Sequence, residues 1–351
     1  MITRDYLMDN LKGFLIICVV IGHTFENYIE ANYMIKGIYA FIYLFHMEAF
    51  IFISGYFTKD IEKAHHHAIR QYLFPYFFFN LLAYCYKYIL TGSFKPSWIN
   101  PAWTLWYLLV IFLYRYLLKY IVKIPHYFII SCLLSLLVSA QSIIQNDIFI
   151  RFFTYLPFYI LGTYAQKEDI QMIRNKGFSL VSLITLSIIL VIMIFFMKEE
   201  TFKMSLLYNK SPFDQYHVSL LLGCGVRIVN YTIGFIVICC LIRLIPSDVS
   251  LLSNIGKQSG CVYIAHTYLI RILKLCVDTW PKDTIYQIML MMSVIPIMML
   301  SYNFITLKIY HYLNQLWMFI YDGIKCVYKK LIRKGYHVLK IVIMNMKKLR
   351  V

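Results

Sequence analysis

Charge is scarce in this sequence: Asp, Glu, Lys and Arg make up 15% of 351 residues, against about 25% in an ordinary soluble domain. So few charges cannot wet the surface of a globule of this size, which excludes a soluble enzyme. Acidic residues are the scarcer sign, 17 against 34 Lys and Arg, leaving a net charge of +17. Glycine, at 14 residues, is too sparse for a collagen-like chain. The low hydrophobicity of a disordered chain is missing, as are the short alternating segments of a transmembrane β-barrel. The nine cysteines lack CxxC spacing and mostly sit in or beside apolar runs, so they read as small buried hydrophobes, not a disulfide framework. What remains is apolar: 60% hydrophobic residues and a mean hydropathy of +0.65. This is the composition of an all-α, polytopic integral membrane protein.

A spanning helix needs about 20 mostly apolar residues, and about ten runs come near that length. They cover 11–29, 35–57, 69–90, 102–121, 126–145, 148–166, 178–197, 217–242, 259–277 and 284–307. The third carries Arg70 and Lys87; the ninth carries His266, Arg271 and Lys274. Residues 1–310 therefore form a membrane domain, and 311–351 an aromatic, basic, amphipathic tail expected to lie along the cytoplasmic membrane surface. From Asp322 onward nine Lys/Arg face a single acid, so the tail holds +8 of the +17. The remaining cations are spread over loops, which points to topology and anionic lipid rather than to nucleic acid. Lys59, Lys63, Arg70, Arg115, Lys119, Lys123, Lys167, Arg174, Lys176, Arg243 and Lys257 fall on one side if the N-terminus is inside. An even number of spans then puts both termini in the cytoplasm. A cleaved signal peptide is not expected, because His23 and Glu26 interrupt the first run and no clear cleavage site follows.

Ionisable residues inside apolar runs are expensive and therefore informative. Lys12 and His23 are eleven residues apart, about three helical turns and about 16.5 Å of rise on nearly the same face. One wall of a cavity would thus carry a cation at its cytoplasmic mouth and an imidazole near mid-membrane. The alternative is a positive-inside anchor and an interhelical hydrogen-bonder. His46 and Glu48 sit in the second run at i and i+2, so they serve different neighbours. His65-His66-His67 has no accompanying acidic or thiol ligands, and its side chains diverge on a helix, so no metal site is expected. Arg70, just before Pro75, is a candidate cytoplasmic anion contact.

These residues resemble the integral-membrane acyltransferase-3 family, within it the branch of fucose 4-O-acetylase-like sugar O-acetyltransferases. The family's leading pattern, a basic residue, ten residues, then histidine, is matched by Lys12 and His23. His46 to Phe57 resembles the branch's Phe-His-Met, phenylalanine run and Ser-Gly-aromatic segment. Leu105-Trp106-Tyr107-Leu108, Leu156-Pro157-Phe158-Tyr159-Ile160-Leu161-Gly162 and Gly256-Lys257-Gln258-Ser259 with Tyr263 and His266 resemble later family elements, in order over residues 4–268. Two positions depart. Leu73 follows Arg70 where relatives often carry a second arginine, and Glu48 stands where proline is common after His-Met.

The resemblance implies transfer of an acyl group, usually acetyl, from cytoplasmic acetyl-CoA to a hydroxyl of a lipid-linked or cell-surface polysaccharide, in a bacterial inner membrane. Lys12 and Arg70 would then neutralise the phosphates of CoA, and His23 would act as general base. Asp9 or His46 would orient His23 or hold the acceptor. The competing expectation is a glycan or lipid flippase, whose buried His and Glu would be pathway residues.

Overall fold

The computed structural model of the protein describes residues 4–26, 29, 32–140, 146–175, 179–200, 202–277 and 284–348; side chains are described up to residue 330, except 276, 277, 284–287 and 290. The described residues are helical, without a strand. In chain order the helices are α1 (Tyr6–Phe25), α2 (Tyr33–Tyr43), α3 (His46–Tyr56), α4 (Ile61–Ala68), α5 (Phe74–Thr91) and α6 (Trp106–Ile121). There follow α7 (Tyr127–Leu137), α8 (Asp147–Tyr164), α9 (Lys167–Asn175), α10 (Ser179–Lys198) and α11 (Leu220–Leu244). The last are α12 (Leu251–Lys257), α13 (Ser259–Val277), α14 (Thr284–Tyr302) and α15 (Phe304–Lys348). A π-helical turn, Ile69–Leu73, joins α4 to α5.

A helix falls on each of the ten expected runs, yet among the described residues four candidate spans are long and apolar enough to cross a membrane: Tyr6–Phe25, Tyr33–Tyr56, Ser179–Lys198 and Leu220–Leu244. The number rises to six if each of two bent pairs counts as one span, α8 with α9 (93°) and Met291–Tyr302 with Phe304–Lys330 (50°). The difference has local causes. α6 has 16 residues and α7 has 11, short of the usual spanning length. α5 is diluted by tyrosines, and α13 carries Arg271 and Lys274. α15 runs without interruption across the boundary expected at 310. The expected surface-lying cations beyond 330 lie outside the described side chains.

The outside of the bundle is apolar where α10 and α11 face outward; Leu221 is 86% exposed and Leu180 65%. Such faces are stable against hydrocarbon rather than water. Between helices, small residues allow close approach. A Cβ at Gly55 of α3 would collide with the Tyr159 carbonyl of α8, and one at Gly162 of α8 with the Phe52 carbonyl of α3. The same lock joins α1 to α12, where a Cβ at Gly13 would strike the Leu252 carbonyl and one at Gly256 the Asp9 carbonyl. Asn10 donates to the carbonyls of Pro246 and Asp248, at 2.8 and 2.7 Å, and accepts from Ser250 Oγ at 2.6 Å.

Buried tyrosines find polar partners, as apolar burial demands. Tyr114 donates to the Phe152 carbonyl at 2.7 Å and stacks on Tyr159, centroids 4.7 Å apart. Tyr159 in turn donates to Thr58 Oγ1 at 3.1 Å. Lys59 donates to the terminal carbonyl of Thr163 at 2.9 Å, a cation at the negative end of α8.

Candidate active site

The α1 helix supplies one wall of the main cavity. Asp5 caps it by accepting from Met8 N at 3.1 Å, and its other sides are closed by α12, α13 and α14. Lys12, Ile16, Val19 and His23 line the cavity at i, i+4, i+7 and i+11, so the shared face expected from their spacing is present. The cavity has a volume of about 1030 Å³ and is completed by α3, α6, α8 and α13.

Near its middle lies a cluster of imidazoles. The His23 and His266 rings have centroids 5.6 Å apart, and Tyr43 stands 6.4 Å from His23 and 4.7 Å from His46. The helical path is broken at Leu44 and Phe45, and there His46 Nδ1 donates to the Ile42 carbonyl at 2.8 Å. His266 Nδ1 donates in the same i to i−4 manner to the Val262 carbonyl at 2.9 Å. A carbonyl only accepts, so both rings carry their proton on Nδ1 and a lone pair on Nε2. Nε2 of His266 is buried and has no partner. His23 is tied differently, Nδ1 lying 3.2 Å from Glu26 Oε2. The carboxylate accepts there, which puts a proton on Nδ1 and leaves Nε2 without a part in the contact. Glu26 itself sits just beyond α1. Burial alone raises its pKa, but His23, Arg271 and Lys210 outweigh that and hold it below the usual carboxylate value.

The cavity reaches charged groups at two ends. α12 packs beside the start of α1, so α13 runs parallel to α1 and carries Arg271 and Lys274 to the Glu26 end. At the opposite end are Lys12, Gln71, Tyr72 and Arg115. Lys12 Nζ pairs with Asp9 Oδ1 at 2.8 Å and lies 5.2 Å from the Phe57 ring centre. Arg115 donates to Tyr72 Oη at 2.7 Å.

Lys12, His23 and His46, all singled out in the sequence, line one cavity. Asp9 does not join them: it pairs with Lys12 and Arg4 (2.7 Å), about 21 Å of helix rise from His23. Arg70 lines a smaller neighbouring cavity of about 460 Å³ and pairs with Asp322 at 3.3 Å. Glu48 faces α11 at Gly234, away from His46, as two residues at i and i+2 must. His65 donates to the Tyr116 carbonyl at 2.7 Å and His67 to the Lys63 carbonyl at 2.9 Å, so the triplet diverges. Among the described residues no three His, Cys, Asp or Glu side chains converge. Glu26, His266 and Arg115 stood out in the sequence but were not assigned to the site. The signals were a carboxylate at i+3 from His23 and a histidine within an apolar run.

A family model described as an acyltransferase domain matches residues 5–303. A curated relative, nodulation protein NolL of Sinorhizobium fredii (strain NBRC 101917 / NGR234), is 28% identical over 198 residues. The match covers 50% of this chain and 53% of NolL, so the chain spans about half the length of the curated relative it matches. No solved structure matches significantly.

Proposed function

The chain belongs to the acyltransferase-3 family, and on that premise we propose that it is a membrane-bound sugar O-acetyltransferase of the fucose 4-O-acetylase-like branch. It moves acetyl from cytoplasmic acetyl-CoA to a hydroxyl of a lipid-linked or cell-surface polysaccharide. The bacterial inner membrane holds it through ten helical segments, with both termini and the basic 311–351 tail at the cytoplasmic face.

One observation carries the reading: a carboxylate-tethered imidazole lines a cavity whose wall also bears Lys12. Lys12 and Arg115 attract the phosphates of the donor at the cytoplasmic end, and Arg70 adds charge beside them. The acceptor hydroxyl reaches His23 Nε2, which takes its proton as the oxygen attacks the thioester carbonyl. The new C–O bond forms, the C–S bond breaks, and the thiolate of CoA leaves with the proton returned from Nε2. Glu26 keeps the His23 ring in the required tautomer and stabilises the transient imidazolium, as a carboxylate does in other histidine bases. His266 Nε2 and His46 Nε2 accept hydrogen bonds from the acceptor's hydroxyls and so orient it.

The test is transfer of labelled acetyl from acetyl-CoA to endogenous glycan in membranes containing the protein. Transfer that is lost in His23→Ala supports the reading. Glycan movement across the membrane without any transfer favours a flippase instead.

A further inference from the structure

The Glu26 end of the cavity carries more positive charge than the chain neutralises. Arg151, Lys210, Arg271 and Lys274 line it, against the carboxylates of Glu26 and Asp147. Glu26 is already engaged by His23, and none of the four cations forms a salt bridge among the described residues. Arg151 Nε is buried without a hydrogen-bond partner. A buried guanidinium N–H without a partner is costly unless an acceptor meets it.

The cations are also held in place. Arg151 lies over the Trp106 ring at 4.1 Å, Arg271 over Trp103 at 5.2 Å and Lys210 over Tyr208 at 5.2 Å. A guanidinium stacked on an aromatic face keeps its N–H groups at the rim, free for a carboxylate or phosphate. Trp103, under Arg271, is held at φ +52°, a left-handed conformation that a bulky side chain rarely adopts. Asn209, beside Lys210 in the chain, accepts from the buried Arg227 guanidinium at 3.4 Å; that same group donates to the Ser135 carbonyl at 2.6 Å. At the other end Asp9 pairs with Lys12, and Arg115 donates to the Tyr72 hydroxyl.

We propose that this mouth receives a negatively charged saccharide, whose carboxylate or phosphate sits between Arg151 and Arg271. This deepens the acetyltransferase reading and rests on it for the acceptor's role, but the binding itself is independent of transfer. An anionic group there holds the sugar hydroxyl at the imidazoles one helical turn deeper in the cavity.

The experiment is equilibrium binding to the full-length protein in lipid nanodiscs, without acetyl-CoA. The probes are trigalacturonate against its neutral methyl ester, and glucose 1-phosphate against glucose. At least one anionic probe is expected to bind about tenfold tighter than its neutral counterpart, with the pair that does so identifying carboxylate or phosphate. Arg151→Gln/Arg271→Gln is expected to erase that preference, and Arg271→Lys to keep part of it. Lys210→Gln, on a surface connection, should reduce it even if the double variant fails to accumulate. Equal binding of charged and neutral probes, no binding of any probe, or a preference unchanged in these variants overturns the proposal. Preferential binding without acetyl transfer would leave this site standing and overturn the transferase reading alone.

Discussion

His23 and Glu26 are joined across one helical turn, Nδ1 to Oε2 at 3.2 Å, at the end of α1 where the helix gives way to a turn. With the carboxylate accepting from Nδ1, Nε2 of His23 is the nitrogen left for the substrate. Glu26→Gln should therefore keep the protein folded and lower kcat by about 10–100-fold, with a smaller change in KM, because it weakens the base rather than the binding. Single-turnover acetyl transfer measures this, and an unchanged kcat contradicts the role given to Glu26.

The same carboxylate gives a pH signature. Its folded pKa lies below the ordinary carboxylate value: burial pushes it up, while His23, Arg271 and Lys210 pull it further down. Such a group stabilises the fold above its unfolded pKa of about 4.3, and the stabilisation is lost as pH falls through the lower folded value. The melting-temperature gap between wild type and Glu26→Gln should close as pH falls below about 4. A gap that persists in stronger acid contradicts this assignment.

His266 presents a buried Nε2 with no partner to the cavity. His266→Ala should reduce kcat/KM for transfer by about tenfold or more, the loss of one hydrogen bond to the acceptor. Saturation with acceptor should restore much of the rate. A loss confined to the KM for acetyl-CoA would instead assign His266 to the donor.

Lys12→Ala should raise the KM for acetyl-CoA by about tenfold while Lys12→Arg, which keeps the charge, is milder. Removing Lys12 also frees Asp9, its partner at 2.8 Å, so Asp9→Asn is expected to restore part of the loss in Lys12→Ala. Equal loss in the alanine and arginine variants argues against a phosphate contact.

The packing makes a prediction of its own. Gly55 and Gly162 each face a carbonyl of the opposite helix, so Gly55→Ala or Gly162→Ala should destabilise by about 1–3 kcal/mol through overpacking. Thermal melting in detergent measures it, and wild-type stability in both would mean that α3 and α8 separate readily.

The wall of the site was legible in the sequence because helical spacing alone puts Lys12 and His23 on one face. The apolar runs likewise marked where helices form. Span count was not so legible: an apolar run says nothing of a break such as Leu44-Phe45, nor that α7 stops after 11 residues. Asp9 and His23 lie on one helix, yet only axial rise separates their roles. Arg70 lines a neighbouring cavity because the π-helical turn and α15 decide its direction. His266, Arg151 and Arg271 meet the site through tertiary packing, over sequence distances that periodicity does not reach.

The central claim is that His23 is the base for acetyl transfer. Membranes bearing His23→Ala should accumulate the protein at wild-type level and transfer labelled acetyl to glycan about 10²–10⁴-fold more slowly. Transfer at the wild-type rate in that variant would contradict the account.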